Sequence, residues 1–445
     1  MTATDFAGRK ASLLEPDART IARNAAERRF RLTGMAAVGV GMLALVFLLA
    51  SVLGNGVSSF RQTHIEMAIP LDEAKLDKSG KRDPAVMAKV TTVGYGKLIQ
   101  SSLQKMLEDR GVDTGGMQPK ELMGLMSKEA AADLRDTVLA NPDLIGTTLT
   151  FNAMANGRVD GYFKGRVTME SAERDSNISP EQLQLAQRMA DAGVIKTGFN
   201  WAFLTNPDAS ELRPESAGLG VAILGSAYMM LIVLVLSLPI GVAASIYLEE
   251  LAPKNRWTDL IEINIANLAA VPSIVFGILA LALFINFLGL PQSAPIVGGL
   301  VLTLMTLPTI IIATRASLKA VPPSIRDAAL GVGASKMQAI FHHVLPLAMP
   351  GILTGTILGL ARALGESAPL LLIGMVAFVK DYPSSPPEGF FDPASALPVQ
   401  VYSWTQRADP AFAERASGAI IVLLLFLLTM NAVAIILRRR FERRW

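Results

Sequence analysis

Six runs of nearly unbroken apolar residues punctuate the chain: Gly34–Val57, Leu219–Leu248, Asn267–Leu288, Pro295–Thr314, Ile352–Val379 and Gly418–Leu437. Each approaches or exceeds the roughly 20 residues a helix needs to cross the hydrocarbon of a bilayer, so the pattern predicts six membrane spans. Between the first two runs the pattern turns amphipathic. Gln62–Leu71 alternates apolar and polar positions and predicts a strand, whereas Tyr95–Asp109, Pro119–Leu139 and Pro180–Ala192 have helical periodicity and capping residues. Thr147–Phe151 and Val159–Val167 read as two strands paired around an Asn156-Gly157 turn. Gly94-Tyr95-Gly96-Lys97 lacks the spacing and the Ser/Thr of a phosphate-binding loop and reads as a turn. Residues 58–215 are thus expected to form an α+β domain of ordinary size, inserted between the first span and the rest.

Composition supports the membrane reading. Of 445 residues, 51% are hydrophobic and 18% charged, and the mean hydropathy is +0.40, too apolar for an ordinary soluble enzyme. There is no cysteine, so an outer domain must hold together without disulfides. The three histidines, His64, His342 and His343, show no metal-site spacing. The net charge is only +3, and much of the basic character comes from arginines beside the spans, a sign of topology and not of a nucleic-acid partner.

Arginines set the orientation. Arg19, Arg23, Arg28, Arg29 and Arg31 precede the first run, and Arg438, Arg439, Arg440, Arg443 and Arg444 follow the last. Both termini are therefore expected in the cytoplasm, which an even number of spans satisfies. The first run has no small-residue cleavage pattern and reads as a retained anchor. The expected plan is a basic N-terminal segment (1–33), an anchor span (34–57), a periplasmic domain (58–215), a five-span bundle (216–437) with a cytoplasmic loop (315–346), and a basic tail (438–445).

That loop carries a pattern of its own. Ser324 and Asp327 have the spacing of a capping box, Gly331 and Gly333 can end a helix, and Ser335 can cap a second one. A helix-glycine-helix hairpin suits docking into a partner's groove, although it equally suits a plain connector. Asp327-Ala328-Ala329, three residues, Gly333 and then Leu345-Pro346 resemble the EAA loop of permease subunits in ATP-binding-cassette importers. Asp327 stands where that family usually has Glu, and His343 where it has an aliphatic residue. The resemblance implies that these residues dock an ATPase subunit. No P-loop occurs in the chain, so ATP and Mg are expected in that partner and no cofactor on this chain.

In the fifth run, Gly351, Gly355 and Gly359 mark a face for close helix approach, with Arg362 and Glu366 following. At about 100° per residue, a continuous helix would place both charges toward the glycine face. The residues alone leave two readings open: a mutually neutralised pair bracing the bundle, or an oxyanion site using the guanidinium fork. Ala361-Arg362-Ala363-Leu364-Gly365-Glu366-Ser367-Ala368-Pro369-Leu370 is similar to the corresponding place in the permeases of bacterial phosphate importers, which favours the anion reading. Pro239–Ala244, Tyr247-Leu248-Glu249-Glu250 and Pro272–Gly277 are similar to the A-type branch of that family, PstA, and the likeness covers roughly residues 200–445.

The resemblance implies a mostly α, six-span integral membrane permease of the bacterial inner membrane. It implies a paralogous phosphate permease subunit, an ATPase dimer and a periplasmic phosphate-binding protein as partners, beside membrane lipid. Arg362, Glu366 and, more weakly, Ser273 are the expected pathway residues, with Pro272 read as a kink. A permease for another oxyanion, sulfate or molybdate, and a receptor or scaffold sensing through the inserted domain are the alternatives. Only the short tail after the last run argues against the latter.

Overall fold

The computed structural model describes residues 18–441 except 78, 79, 81, 376 and 377. The first 17 residues of the basic segment and residues 442–445 of the tail, with Arg443 and Arg444, lie outside that set. The chain divides into two units, residues 1–54 and 55–445. The first is described as one helix, α1, which runs Ala18–Gly56 into the start of the second unit. It begins well before the apolar run, because the arginine-rich lead-in contains no proline or glycine from Ala18 to Thr33 to interrupt it.

In the second unit β1 (Arg61–Pro70) is the middle strand of a three-stranded antiparallel sheet, between β2 (Thr148–Met154) and β3 (Ile195–Phe199). Ile65, Met67 and Ile69 alternate along β1, so all three enter one core. The helices α2 (Thr92–Asp109), α3 (Pro119–Met123), α4 (Ala130–Ala140), α5 (Gly157–Phe163) and α6 (Pro180–Asp191) accompany the sheet.

Three local expectations are corrected. Val159–Val167 is not a strand: Asn156 accepts the Arg158 backbone N–H at 2.8 Å and starts α5. Val159, Tyr162 and Phe163 then recur at helical spacing, and β2 pairs with β1 instead. Pro119–Leu139 is two helices, because the Ser127 N–H is drawn to the β2 carbonyl of Met154 (2.8 Å). Gly94–Lys97 lies inside α2, where fully buried Tyr95 shares a face with Leu98 and Ile99.

The membrane part contains α7 (Gly220–Ile246), which continues as a wider π turn over Tyr247–Leu251, and α8 (Arg256–Ala269). Then come α9 (Ser273–Ala280), α10 (Pro295–Lys319), α11 (Pro323–Gly331) and α12, a continuous helical rod over Lys336–Gly365. The short α13 (Ala368–Leu372), α14 (Leu397–Thr405) and the long α15 (Pro410–Phe441) complete it. By length and composition, five helices among the described residues can cross a membrane, or six if the bent pair that contains α8 and α9 counts as one.

Two spans differ from expectation, each at a proline. The third is not a kinked rod over Asn267–Leu288: that run takes in only the end of α8, after which the chain turns by 100° into the helical segment Ser273–Phe287. Pro272 has no N–H and disfavours helix at Val271, so α8 ends and α9 restarts at Ser273. The fifth does not run Ile352–Val379 but ends at Gly365, and Glu366 is already extended (φ −82°, ψ 126°). Pro369 cannot donate to Gly365, yet sits comfortably in the first turn of α13.

Close packing needs the glycines. A Cβ at Gly351 would overlap Ser317, one at Gly355 would overlap Ala313, and one at Gly359 would stand 2.9 Å from the Thr306 methyl. The stripe on α12 thus lies directly on α10. Where the sheet region meets the helices, Phe203, Trp404 and Phe412 form an aromatic core. Beside it Arg158 bridges Asp175 (2.6 Å) and Asp409 (3.0 Å), while Arg415 donates to the carbonyls of Ala217 (2.6 Å) and Glu215 (2.7 Å).

Candidate functional site: a clasped hairpin between two spans

Between α10 and α12 the chain makes the hairpin foreseen for residues 315–346, though its first cap differs. Pro323 occupies the first helical turn of α11 and no side chain caps it, so Ser324 and Asp327 form no capping box. The fixed φ of proline does that work at N1. The turn depends on Gly333 (φ +92°), while Gly331 is an ordinary helical residue. Ser335 caps the next helix as expected: its hydroxyl accepts the Gln338 N–H at 3.2 Å, and the Gln338 side chain accepts the Ser335 N–H at 2.8 Å.

Asp327, Ala328 and Gly333 are exposed, and Val332 at the tip is 86% exposed. Ala329 is buried and faces inward. Leu345 and Pro346 are half-buried within α12, where Leu345 packs against a cluster of Ile246, Leu318, Val321, Ile340 and Val344. Apolar packing therefore supports the hairpin from beneath while its outer face stays open.

An ionic clasp adds to this packing. The Arg326 guanidinium on α11 donates to Glu250 (Nη2 2.5 Å, Nε 3.1 and 3.2 Å) and to the carbonyls of Val321 (2.7 Å) and Leu318 (2.9 Å). The hydrogen bond to Glu250, with the charges of Glu250, Glu249 and Asp327, holds the Arg326 pKa above its usual value. Arg315 on α10 reaches Glu249 (3.3 Å) and Glu262 of α8 (2.5 Å), and Lys319 lies 3.5 Å from Glu249. Glu249, Glu250 and Glu262 carried no predicted role. The available signal was a pair of adjacent carboxylates ending one apolar run while unpaired arginines flanked the next loop.

The pathway residues are placed differently from the sequence picture. Arg362 occupies the last turn of α12 with its side chain 51% exposed, 3.9 Å from Glu366. Glu366 is beyond the helix end, so it does not continue the helical face of the glycines, whereas Arg362 remains on their helix. Ser273 begins α9, and Gly277 of the same helix abuts Pro369, three residues after Glu366. The two proline-broken segments therefore pack together. Among the described residues, no hydrogen bond joins Ser273 to Arg362 or Glu366, and no group of three or more His, Cys, Asp or Glu could hold a metal ion.

Several apolar membrane-length helices, tightly packed through glycines and interrupted by an exposed hairpin, define a multi-pass membrane permease. Residues 237–445 match the family described as "Binding-protein-dependent transport system inner membrane component", and the chain belongs to that family. Residues 17–173 match a family described only as a domain of unknown function, DUF3333. The probable ABC transporter permease protein YqgI of Bacillus subtilis is 31% identical over 251 residues, covering 54% of this chain and 83% of that protein. The phosphate transport system permease protein PstA 1 of Mycobacterium tuberculosis is 33% identical over 234 residues, 52% of this chain and 74% of its own. PstA of Xylella fastidiosa is 33% identical over 228 residues, with coverages of 51% and 77%. A chain of the inward-facing MetNI methionine ABC transporter aligns over 51% of this chain and 95% of its own, with 16% identity and a TM-score of 0.39.

Proposed function

We propose that this chain is an inner-membrane permease subunit of an ATP-driven phosphate importer, a transport subunit and not itself an enzyme. The single observation behind the transport mechanism is the hairpin, which offers Asp327, Ala328 and Val332 outward while its root is packed against α7, α10 and α12. An ATPase seated on that knob can move spans. The phosphate assignment draws support from the names of the PstA relatives.

In this reading a second permease subunit completes the pathway, two ATPases bind below, and a periplasmic binding protein delivers phosphate. Both termini and the hairpin face the cytoplasm, and residues 58–215 form an inserted periplasmic α+β domain. Arg362 offers forked N–H donors matched to phosphate oxygens. The adjacent Glu366 limits how tightly the anion is held, so that it can leave, while Ser273 lines the neighbouring break. Closure of the ATPases then switches access from one side to the other.

Reconstitution with the candidate partners in proteoliposomes tests the proposal. Phosphate uptake driven by ATP is expected, with sulfate and molybdate failing to compete. Uptake of either of those in place of phosphate would reassign the substrate. Orientation is read separately: an impermeant thiol reagent added outside spheroplasts should label Lys120→Cys and leave Val332→Cys unlabelled. Equal labelling would overturn the topology.

A further inference from the structure

We propose that Glu250 and Arg326 form the joint through which the hairpin's motion reaches the end of α7, a helix to which the hairpin has no direct covalent link. The inference rests on the coupling role of the hairpin proposed above. By covalent connection alone, a force on α11 acts on α10 before it and α12 after it. The remaining helices must be driven through contacts.

The contacts to α7 are of the kind that transmit force. Arg326 is held by three elements at once: two carbonyls at and beyond the end of α10, its own helix α11, and the Glu250 carboxylate just past α7. Its planar fork fixes direction as well as distance, which a single ammonium would not. The Glu250 side chain is only 10% exposed and that of Arg326 23%, so bulk water screens the pair weakly. Directly beside it, Glu249 joins the same end of α7 to Arg315 of α10, and Arg315 continues to Glu262 of α8. The α7 terminus is thus gripped by two consecutive carboxylates, one toward the hairpin and one toward α10 and α8.

The wide π turn at Tyr247–Leu251 is where both carboxylates emerge. A tether at this point can pull the end of α7 without having to deform its regular portion. When the hairpin shifts, the intact clasp makes the four elements move together. With the Glu250–Arg326 bond cut, α10 and α12 still follow the hairpin, α8 stays tied to α10 through Arg315, and the end of α7 loses its direct tie to the hairpin and lags. Glu249 and Glu250 are therefore positioning residues that act through the arginines.

The experiment uses the whole transporter in nanodiscs and in proteoliposomes, with Glu250→Gln as the principal variant. Uncoupling predicts assembly with the ATPases and continued ATP hydrolysis, but at least about fivefold less phosphate moved per ATP. Spin labels at Val332→Cys and Lys254→Cys report whether the hairpin and the end of α7 travel together. Their distance should stay fixed between nucleotide-free and ATP-trapped states in the otherwise native chain, and change between them in Glu250→Gln. Glu250→Asp, which retains the carboxylate, should restore most of the transport ratio, a rescue that would not follow if residue 250 merely filled space.

An unaltered transport ratio together with an unaltered label distance in Glu250→Gln would overturn the joint. If Glu250→Gln fails to accumulate, Arg326→Lys reads the same two quantities, and native values there overturn it equally. A native chain that does not bind the ATPases would instead bring down the hairpin's coupling role, and that outcome is visible before any variant is compared.

Discussion

Lys164 of the sheet region and Glu414 in the first turns of the last span form a 3.0 Å ion pair across 250 positions of sequence, with side chains 7% and 5% exposed. Lys164 also stands 2.7 Å from Asp160, and Arg166 pairs with Glu414, so charges of both signs leave water together. Desolvation of such a cluster is tolerable only while every member keeps its partner. Lys164→Met should therefore leave Asp160 and Glu414 under-compensated and lower stability by about 3–5 kcal/mol. Thermal and denaturant unfolding in detergent, followed by circular dichroism, checks this. A loss below about 1 kcal/mol would mean the cluster behaves like a solvated surface network.

Asp133 on α4 gives a pH dependence of known sign. Burial, followed by the nearby Glu129 and Asp136 carboxylates, pushes its pKa from 3.8 up to about 6. The folded chain then binds more protons than the unfolded chain between those values, so this contribution to stability is complete below about 3.8 and is lost as pH rises through about 6. Asp133→Asn should raise the unfolding temperature at pH 7.5, with the gain shrinking at pH 5. A gain independent of pH would assign the effect to something other than ionisation.

Gly355 meets Ala313 with no room for a Cβ, whereas nothing stands within 4 Å of a Cβ at Gly365. Gly355→Ala should force α12 away from α10 and destabilise by about 1–3 kcal/mol, as overpacking does elsewhere. Gly365→Ala should be nearly neutral in the same melting experiment.

Gly333 poses the opposite problem, since space is open around it and only its φ of +92° restricts it. Gly333→Val should strain the turn by about 1–2 kcal/mol, leaving membrane insertion intact while weakening retention of the ATPase during purification. Gly333→Asn, which enters positive φ more readily, should do less harm. Native retention by the valine variant would make the hairpin a connector.

Arg362 distinguishes anion handling from bracing. It stands 3.9 Å from Glu366 with its side chain half exposed, and variants of the two residues separate the two roles. Arg362→Ala should reduce phosphate uptake by ~30-fold or more, Arg362→Lys should retain part of it, and Arg362→Ala/Glu366→Ala should stay inactive. Recovery of uptake in a well-assembled double variant would return the pair to a bracing role.

What the chain by itself determined is what depends on neighbouring residues. Long apolar runs mark membrane-length helices because transfer into hydrocarbon is nearly additive along a helix. Ser335 could be named as a cap because its partner Gln338 is three residues away. The β1 alternation was legible for the same reason. Pro272 and Pro369 did signal interruption, but apolar residues continue on both sides, and hydropathy cannot distinguish a kink from a 100° break or place the end of α12 at Gly365. Val159–Val167 was ambiguous until β2 took the place beside β1 and left Asn156 free to start a helix.

Tertiary structure alone decided the pairings between distant positions. Glu250 finds Arg326 across 76 residues, and Lys164 finds Glu414 across 250. No local periodicity encodes such partners, because an ion pair is selected by which helix ends the apolar packing brings together. Hydrophobic burial therefore laid out the spans from the sequence, while the fold determined which charges could act on one another.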